Sequence, residues 1–213
     1  IGQILDRSAA VELQAGRLDE ALKAAEAALR QQPDYAAALL ARGRILLALK
    51  RPTEAIAPLS RAATLNPLPE YQWALADALR VQGRLDAAAA VELEIATSGA
   101  AEDPRTVALY LATRRTGADK ALALAEEELR TRADVFTLDA HARALAAAGR
   151  AAEARDVIRR ALAEGTEDAR LFLHAGVIHG ALGQRREARR WLNKAERLSG
   201  TLLPSEADEL STQ

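Results

Sequence analysis

The chain has no cysteine and no methionine, and its 213 residues include only two Trp, three Tyr and two Phe. Without cysteine there is no disulfide, no thiolate nucleophile and no cysteine-based zinc site. Without methionine, Ile1 is not expected to be a natural start, so any signal peptide, anchor or preceding domain is invisible. The expected setting is a soluble bacterial protein, cytoplasmic or exported, of unstated oligomeric order. No apolar run approaches the roughly 18 to 20 residues that cross a bilayer, so no membrane insertion is expected. The formal net charge is -1, so no overall basic field draws nucleic acid to the surface.

Three histidines, His141, His174 and His179, carry no HExxH spacing and no flanking carboxylate set. No metal site is expected from them. There is no Gly-rich phosphate loop and no GxSxG, and no cofactor is implied. The run Glu126, Glu127, Glu128 reads as a solvated helix face, since acid–base catalysis needs a concave, partly dry site to separate two pKa values. No catalytic residue emerges.

What is present is alanine, leucine and arginine in abundance: 49% of residues are hydrophobic and 28% charged with both signs mixed, the composition of a helical chain. The phrase AGRLDEALKAAEAAL at 15–29 returns as QGRLDAAAAVELEIA at 82–96 and AGRAAEARDVIRRAL at 148–162. Aligned on its alanine, the phrase gives Ala21, Ala55, Ala88, Ala121, Ala154 and Ala188, spaced 34, 33, 33, 33 and 34 residues apart. Seven residues on stand Ala28, Ala62, Ile95, Glu128, Ala161 and Ala195, so two helical turns carry a mostly small stripe. Ahead of each anchor lies a turn signal: Gly16, Gly83, Gly117, Gly149 and Gly183, with Lys50-Arg51-Pro52 standing in once. Asp34, Asp103, Asp134 and Asp168 offer N-cap oxygens, and Pro104 suits a first helical position. Gly43 and Gly176 occupy equivalent places where a missing side chain lets a paired helix approach.

Small residue, turn glycine, alanine, alanine, proline: this order, displayed by Gly16, Ala21, Ala28, Pro33 and by Gly43, Ala55, Ala62, Pro67, resembles the tetratricopeptide repeat (TPR). The resemblance implies an all-α fold, an α-solenoid right-handed superhelix of about six helix–turn–helix repeats at residues 2–35, 36–69, 70–102, 103–134, 135–168 and 169–201. Together they make an array over 1–203. Residues 204–213 follow as a short capping helix or tail, with Ser205 and Asp208 as a capping box and Glu206 suited to a helix N-terminus. Two departures stand out: Glu128 replaces a small residue, and Pro58 falls inside a second helix, where a kink is expected. The stretch TSGAAEDP at 97–104 is richest in turn formers and marks a possible bend between two halves.

Function is expected on the inner face, which the first helix of each repeat lines. The positions opposite the buried stripe give Arg44; Trp73, Asp77 and Arg80; Tyr110 and Arg114; Phe136, Asp139 and Arg143; and His174. An aromatic followed by Arg recurs there, the combination that supplies most interface hot spots. Trp73, Tyr110 and Phe136 are therefore expected as exposed anchors for a peptide or protein segment, with Asp77, Arg80, Asp139 and Arg143 beside them in the groove; the alternative is that Asp77–Arg80 and Asp139–Arg143 only pair within their helices. The Lys and Asn clamp by which some TPR proteins hold a C-terminal carboxylate is missing from the matching positions Asp6, Ala10, Leu40, Arg44, Trp73 and Asp77. The basic run Arg185, Arg186, Arg189, Arg190 has no aromatics organised for stacking, and the acidic tail is its expected neighbour.

These features describe a noncatalytic interaction module or scaffold that binds another protein or a neighbouring domain. An alternative is a regulatory TPR segment of a larger protein whose DNA-binding or enzymatic domain lies outside this sequence. A third reading, a hydrolase using Asp77, Asp139 and His174, lacks any organising partner for them.

Overall fold

The computed structural model describes residues 2–213, with side chains from residue 7 onward; Ile1 and the Asp6 side chain lie outside the described residues. All the described elements are helical, with no strand among the described residues. Helices follow one another in pairs joined by short turns: α1 (Gly2–Gln14) with α2 (Leu18–Gln31), α3 (Ala36–Ala48) with α4 (Pro52–Leu65), and α5 (Pro69–Val81) with α6 (Leu85–Thr97). After a one-turn helix α7 (Gly99–Glu102) come α8 (Pro104–Arg114) with α9 (Ala118–Thr131), α10 (Val135–Ala147) with α11 (Ala151–Ala163), and α12 (Ala169–Ala181) with α13 (Arg185–Arg197). A 3-10 turn at Ser199–Thr201 leads to a last helix, α14 (Pro204–Ser211).

The repeated alanines lie on the second helix of each pair, and all six are buried, as are the five apolar residues two turns further on. At the sixth such place Glu128 is only partly buried and accepts a hydrogen bond from Arg132 at 2.7 Å, which keeps its charge at the edge of the packing. The chain divides into two compact units, Ile1–Thr97 with Gly200–Pro204, and Ser98–Ser199 with Ser205–Gln213. The division falls within TSGAAEDP. In the first unit Ala9, Leu13, Ala21, Ala25 and Ile45 form a core cluster. In the second, Leu138, Ala142, Leu145, Ile158, Leu171 and Ile178 do the same across α10, α11 and α12.

The caps follow the sequence at three of four places. Asp103, Asp134 and Asp168 each accept a hydrogen bond from a backbone N–H of the following helix, as N-cap carboxylates do. Burial pushes the Asp134 carboxyl up, but hydrogen bonds from the Thr137 amide and hydroxyl, with Arg132 and Arg105 nearby, outweigh this and hold it below the usual range. Asp34 does not cap. Tyr35 holds the cap position with extended backbone, leaving Asp34 one residue outside, where it pairs with Arg61 at 3.0 Å. Pro58 is buried within α4, which runs on through it to Leu65.

The expected turn signals all fall in turns. Gly16, Gly83, Gly117, Gly149 and Gly183 have positive φ, as do Lys50 (φ 59°), where Lys50-Arg51-Pro52 stands in for glycine, and Arg115 (φ 55°). In the shortened fourth turn Arg115 caps α8, while Gly117, two residues on, opens α9. An L-residue pays a steric penalty in this conformation that glycine does not. Lys50→Gly is therefore expected to raise stability by about 0.5 to 1 kcal/mol in urea unfolding, and an unchanged midpoint would deny the strain.

Gly43 and Gly176 do permit close approach. A Cβ at Gly43 would lie 2.4 Å from the buried Leu59 side chain of α4, and one at Gly176 would lie 2.5 Å from Leu192 Cδ2 and 3.3 Å from its backbone nitrogen on α13. Gly43→Val and Gly176→Val are expected to cost about 1 to 3 kcal/mol by overpacking. Gly176→Val should cost more, because a backbone atom cannot rotate away. Thermal unfolding of both variants checks the order.

Candidate interaction surface

The ten residues expected on the inner face fall into three groups. Trp73 and Tyr110 are 1% and 4% exposed, so neither ring is an open anchor; each lies on a helix that is buried almost all round, Gln72 to Leu79 on α5 and Thr106 to Ala112 on α8. Phe136 is 47% exposed at the start of α10, with the Arg105 guanidinium 6.0 Å from its ring centroid. Of the three aromatics, only Phe136 presents a ring to solvent as expected.

Several of the charged residues pair between helices. Arg80 reaches from α5 to α6 and donates to both carboxylate oxygens of Glu92 at 2.5 Å, while Asp77 is buried. Arg44, half-buried on α3, donates to Glu70 Oε1 at 3.1 Å and to the carbonyl oxygen of Thr201 at 2.7 Å. Arg114 ends α8 partly exposed. Asp139 on α10 and His174 on α12 meet, Nδ1 to Oδ1 at 2.9 Å, both buried. Nε2 of the same ring is buried with no hydrogen-bond partner among the described residues.

Arg143 is buried on α10. It donates to Glu209 Oε1 at 2.7 Å, to Oε2 at 3.0 Å and to the carbonyl oxygen of Ala112 at 3.2 Å. Arg115 stands 3.7 Å from the same carboxylate, and Arg170 on α12 holds Glu206. Sequence reasoning missed Arg170, Glu206 and Glu209. It assigned Glu206 to its own helix terminus and set the acidic tail beside Arg185–Arg190. The only available signal was that Glu206 and Glu209 stand three apart on one helix face, against an interior short of other fixed charge. Asp139 and Arg143, one turn apart on α10, thus each bind a group from another helix.

Among the described residues no group of three His, Asp or Glu side chains gathers in a way that could hold a metal ion. No helix of the described residues is long and apolar enough to cross a membrane.

Residues 8–68, which span α2 to α4 and the end of α1, match the family model for the tetratricopeptide repeat. The same pairing of helices, with buried alanines at the same interval, continues to α13. Residues 8–68 are a tetratricopeptide repeat segment. Solved TPR structures share the fold over nearly the whole chain. One is a TPR protein from Parabacteroides merdae, 18% identical, covering 99% of this chain and 83% of its own with a TM-score of 0.57. Another is PilW, described as a widely conserved type IV pilus biogenesis factor, 18% identical, covering 99% and 97% with a TM-score of 0.52. A chain of the APC/C hetero-tetramer Cut9–Hcn1, also 18% identical, covers 90% of this chain and 39% of its own with a TM-score of 0.58. At these identities the likeness is one of fold. No curated protein matches this chain in sequence.

Proposed function

We propose that this protein is a noncatalytic scaffold that binds a segment of another protein across the first helices of its repeats. The observation that carries this reading is the set of arginines that α10 and α12 hold for carboxylates brought from another helix. An interaction surface needs such fixed, bidentate-capable charges. In the second unit the partly exposed Arg114 and Phe136 are the contact residues in this proposal, with Tyr110, Asp139, Arg143 and His174 buried on the same set of first helices, α8, α10 and α12. In the first unit Arg44 and Arg80 are the partly exposed members of the expected set, and Trp73 and Asp77 are buried. Cut9–Hcn1, whose name is that of a complex, is a neighbour in keeping with a protein partner.

Burial argues against hydrolysis. Asp139 and His174 bond to each other and are closed to solvent, and Asp77 is buried as well, so none offers a proton to a substrate. The basic run on α13 does have aromatic neighbours, contrary to expectation: Trp191 stacks on Phe172, with Arg190 and Lys194 beside the rings. Phe172 is buried, however, and offers no open face on which a base could stack. The test is selection from a displayed library of helical and extended protein segments on the full chain. Binders are expected to lose at least about tenfold in affinity on Arg114→Glu or Phe136→Ala. Enrichment indifferent to both changes would overturn the assignment of the surface.

A further inference from the structure

The last helix is built unlike a core element. In α14, PSEADELS, the buried residues are Glu206 and Glu209, 0% and 8% exposed, while Ala207 and Leu210 are only partly covered. A helix that belongs to a core buries its apolar face and leaves its acids in water. This one does the reverse. Its two buried carboxylates stand on one face three residues apart and meet Arg170 and Arg143, while Ala207 and Leu210 border an open cleft of about 890 Å³ of mixed lining, with Gly176 and Leu192 on the apolar side and Arg185, Arg189 and Asn193 on the polar side.

From this we infer that residues 205–213 are a tethered internal ligand. They occupy a carboxylate-receiving surface on α10 and α12 whose external ligand is an acidic helical protein segment with carboxylates three residues apart and a larger apolar side chain facing the α12–α13 cleft. The inference rests on the scaffold reading and names the partner's chemistry.

The energetics favour exchange over vacancy. Arg143 is buried, and leaving it without a counter-charge is expensive, because desolvation of the guanidinium is then uncompensated. Replacing one carboxylate by another leaves that balance nearly unchanged. Leu202 and Leu203, buried in the first unit, fix the chain just ahead of α14. The tail therefore competes as a tethered group at an effective concentration on the order of millimolar. Its weakness is the open cleft, where an outside segment gains by covering Leu192 and by meeting the Arg185, Arg189 and Asn193 side of the same lining.

The test uses the full chain and a fluorescein-labelled, end-blocked peptide of residues 204–213, followed by anisotropy. The wild type, with its own tail seated, is expected to bind the peptide weakly. Glu206→Gln/Glu209→Gln in the protein leaves the tail in place but uncharged, and should tighten capture of the unmodified peptide at least about tenfold. A peptide carrying Ala207→Leu should bind more tightly still. Adding Arg143→Met to the protein should abolish the gain, and a chain ending at Pro204 should stay helical and bind best. Equal capture by wild type and the double Gln variant would overturn the inference, as would a gain that survives Arg143→Met. So would loss of helicity in the shortened chain, since a segment whose removal unfolds the protein is a core element. If the peptide fails while library segments still bind through Arg114 and Phe136, the scaffold reading stands and the internal ligand falls. If the peptide binds as expected while no library segment does, the internal ligand stands without the scaffold.

Discussion

Trp73→Ala lowers the stability of the first unit by about 3 to 5 kcal/mol, the cost of emptying a large buried aromatic site. The ring is 1% exposed and sits in α5, where every residue from Gln72 to Leu79 is buried. Three of the buried residues beside it on α5, Ala74, Ala76 and Ala78, are alanines, which have no rotamers with which to refill the space. The paired change Phe136→Ala costs less than about 1 kcal/mol, because that ring is 47% exposed. Urea unfolding of the two variants should show midpoints far apart. A near-neutral Trp73→Ala would restore this ring to the surface as an anchor. Repeat proteins can lose two-state behaviour, so the loss is read on probes within the first unit, and a simultaneous fall of both units would signal that they unfold together.

The second large effect is expected at Arg143. Arg143→Met strands the Glu209 carboxylate, 8% exposed, without its guanidinium, a loss of about 3 to 5 kcal/mol while α14 stays seated. Undocking of α14 would return Glu209 to water and cap the loss, so faster hydrogen exchange in α14 should accompany it. The double change Arg143→Met/Glu209→Leu removes both charges and is expected to recover most of the stability, since an apolar pair of similar volume is often no worse than a buried ion pair. A full double-mutant cycle measures the coupling. Additive losses would mean that Arg143 is held by Ala112 and the surrounding packing, with Glu209 incidental.

These outcomes bear on how the fold and the surface are written in the chain. The period of Ala21, Ala55, Ala88, Ala121, Ala154 and Ala188 was legible because a helix pair buries only small residues where its two backbones come closest, and that need recurs at each turn of the array. Gly43 and Gly176 were legible for the same reason: a Cβ there meets a leucine. Asp34 misled, since a one-residue shift in a turn moves a cap without changing the local composition.

The candidate surface was less legible. A helical pattern shows which residues share a face, but burial depends on what covers that face, and on α10 the cover comes from Glu209, 66 residues away. Periodicity therefore placed Arg143 and Asp139 together on one helix and could not say that one meets a glutamate and the other a histidine. Short-range rules, propensity, small-residue spacing and turn chemistry, act within about four residues, and they determined the helices, their pairing and the TPR family. The burial of Trp73 and Tyr110, the Asp139–His174 bond and the seating of α14 on Arg143 and Arg170 were decided only in the tertiary structure, because each depends on groups brought together from distant parts of the chain.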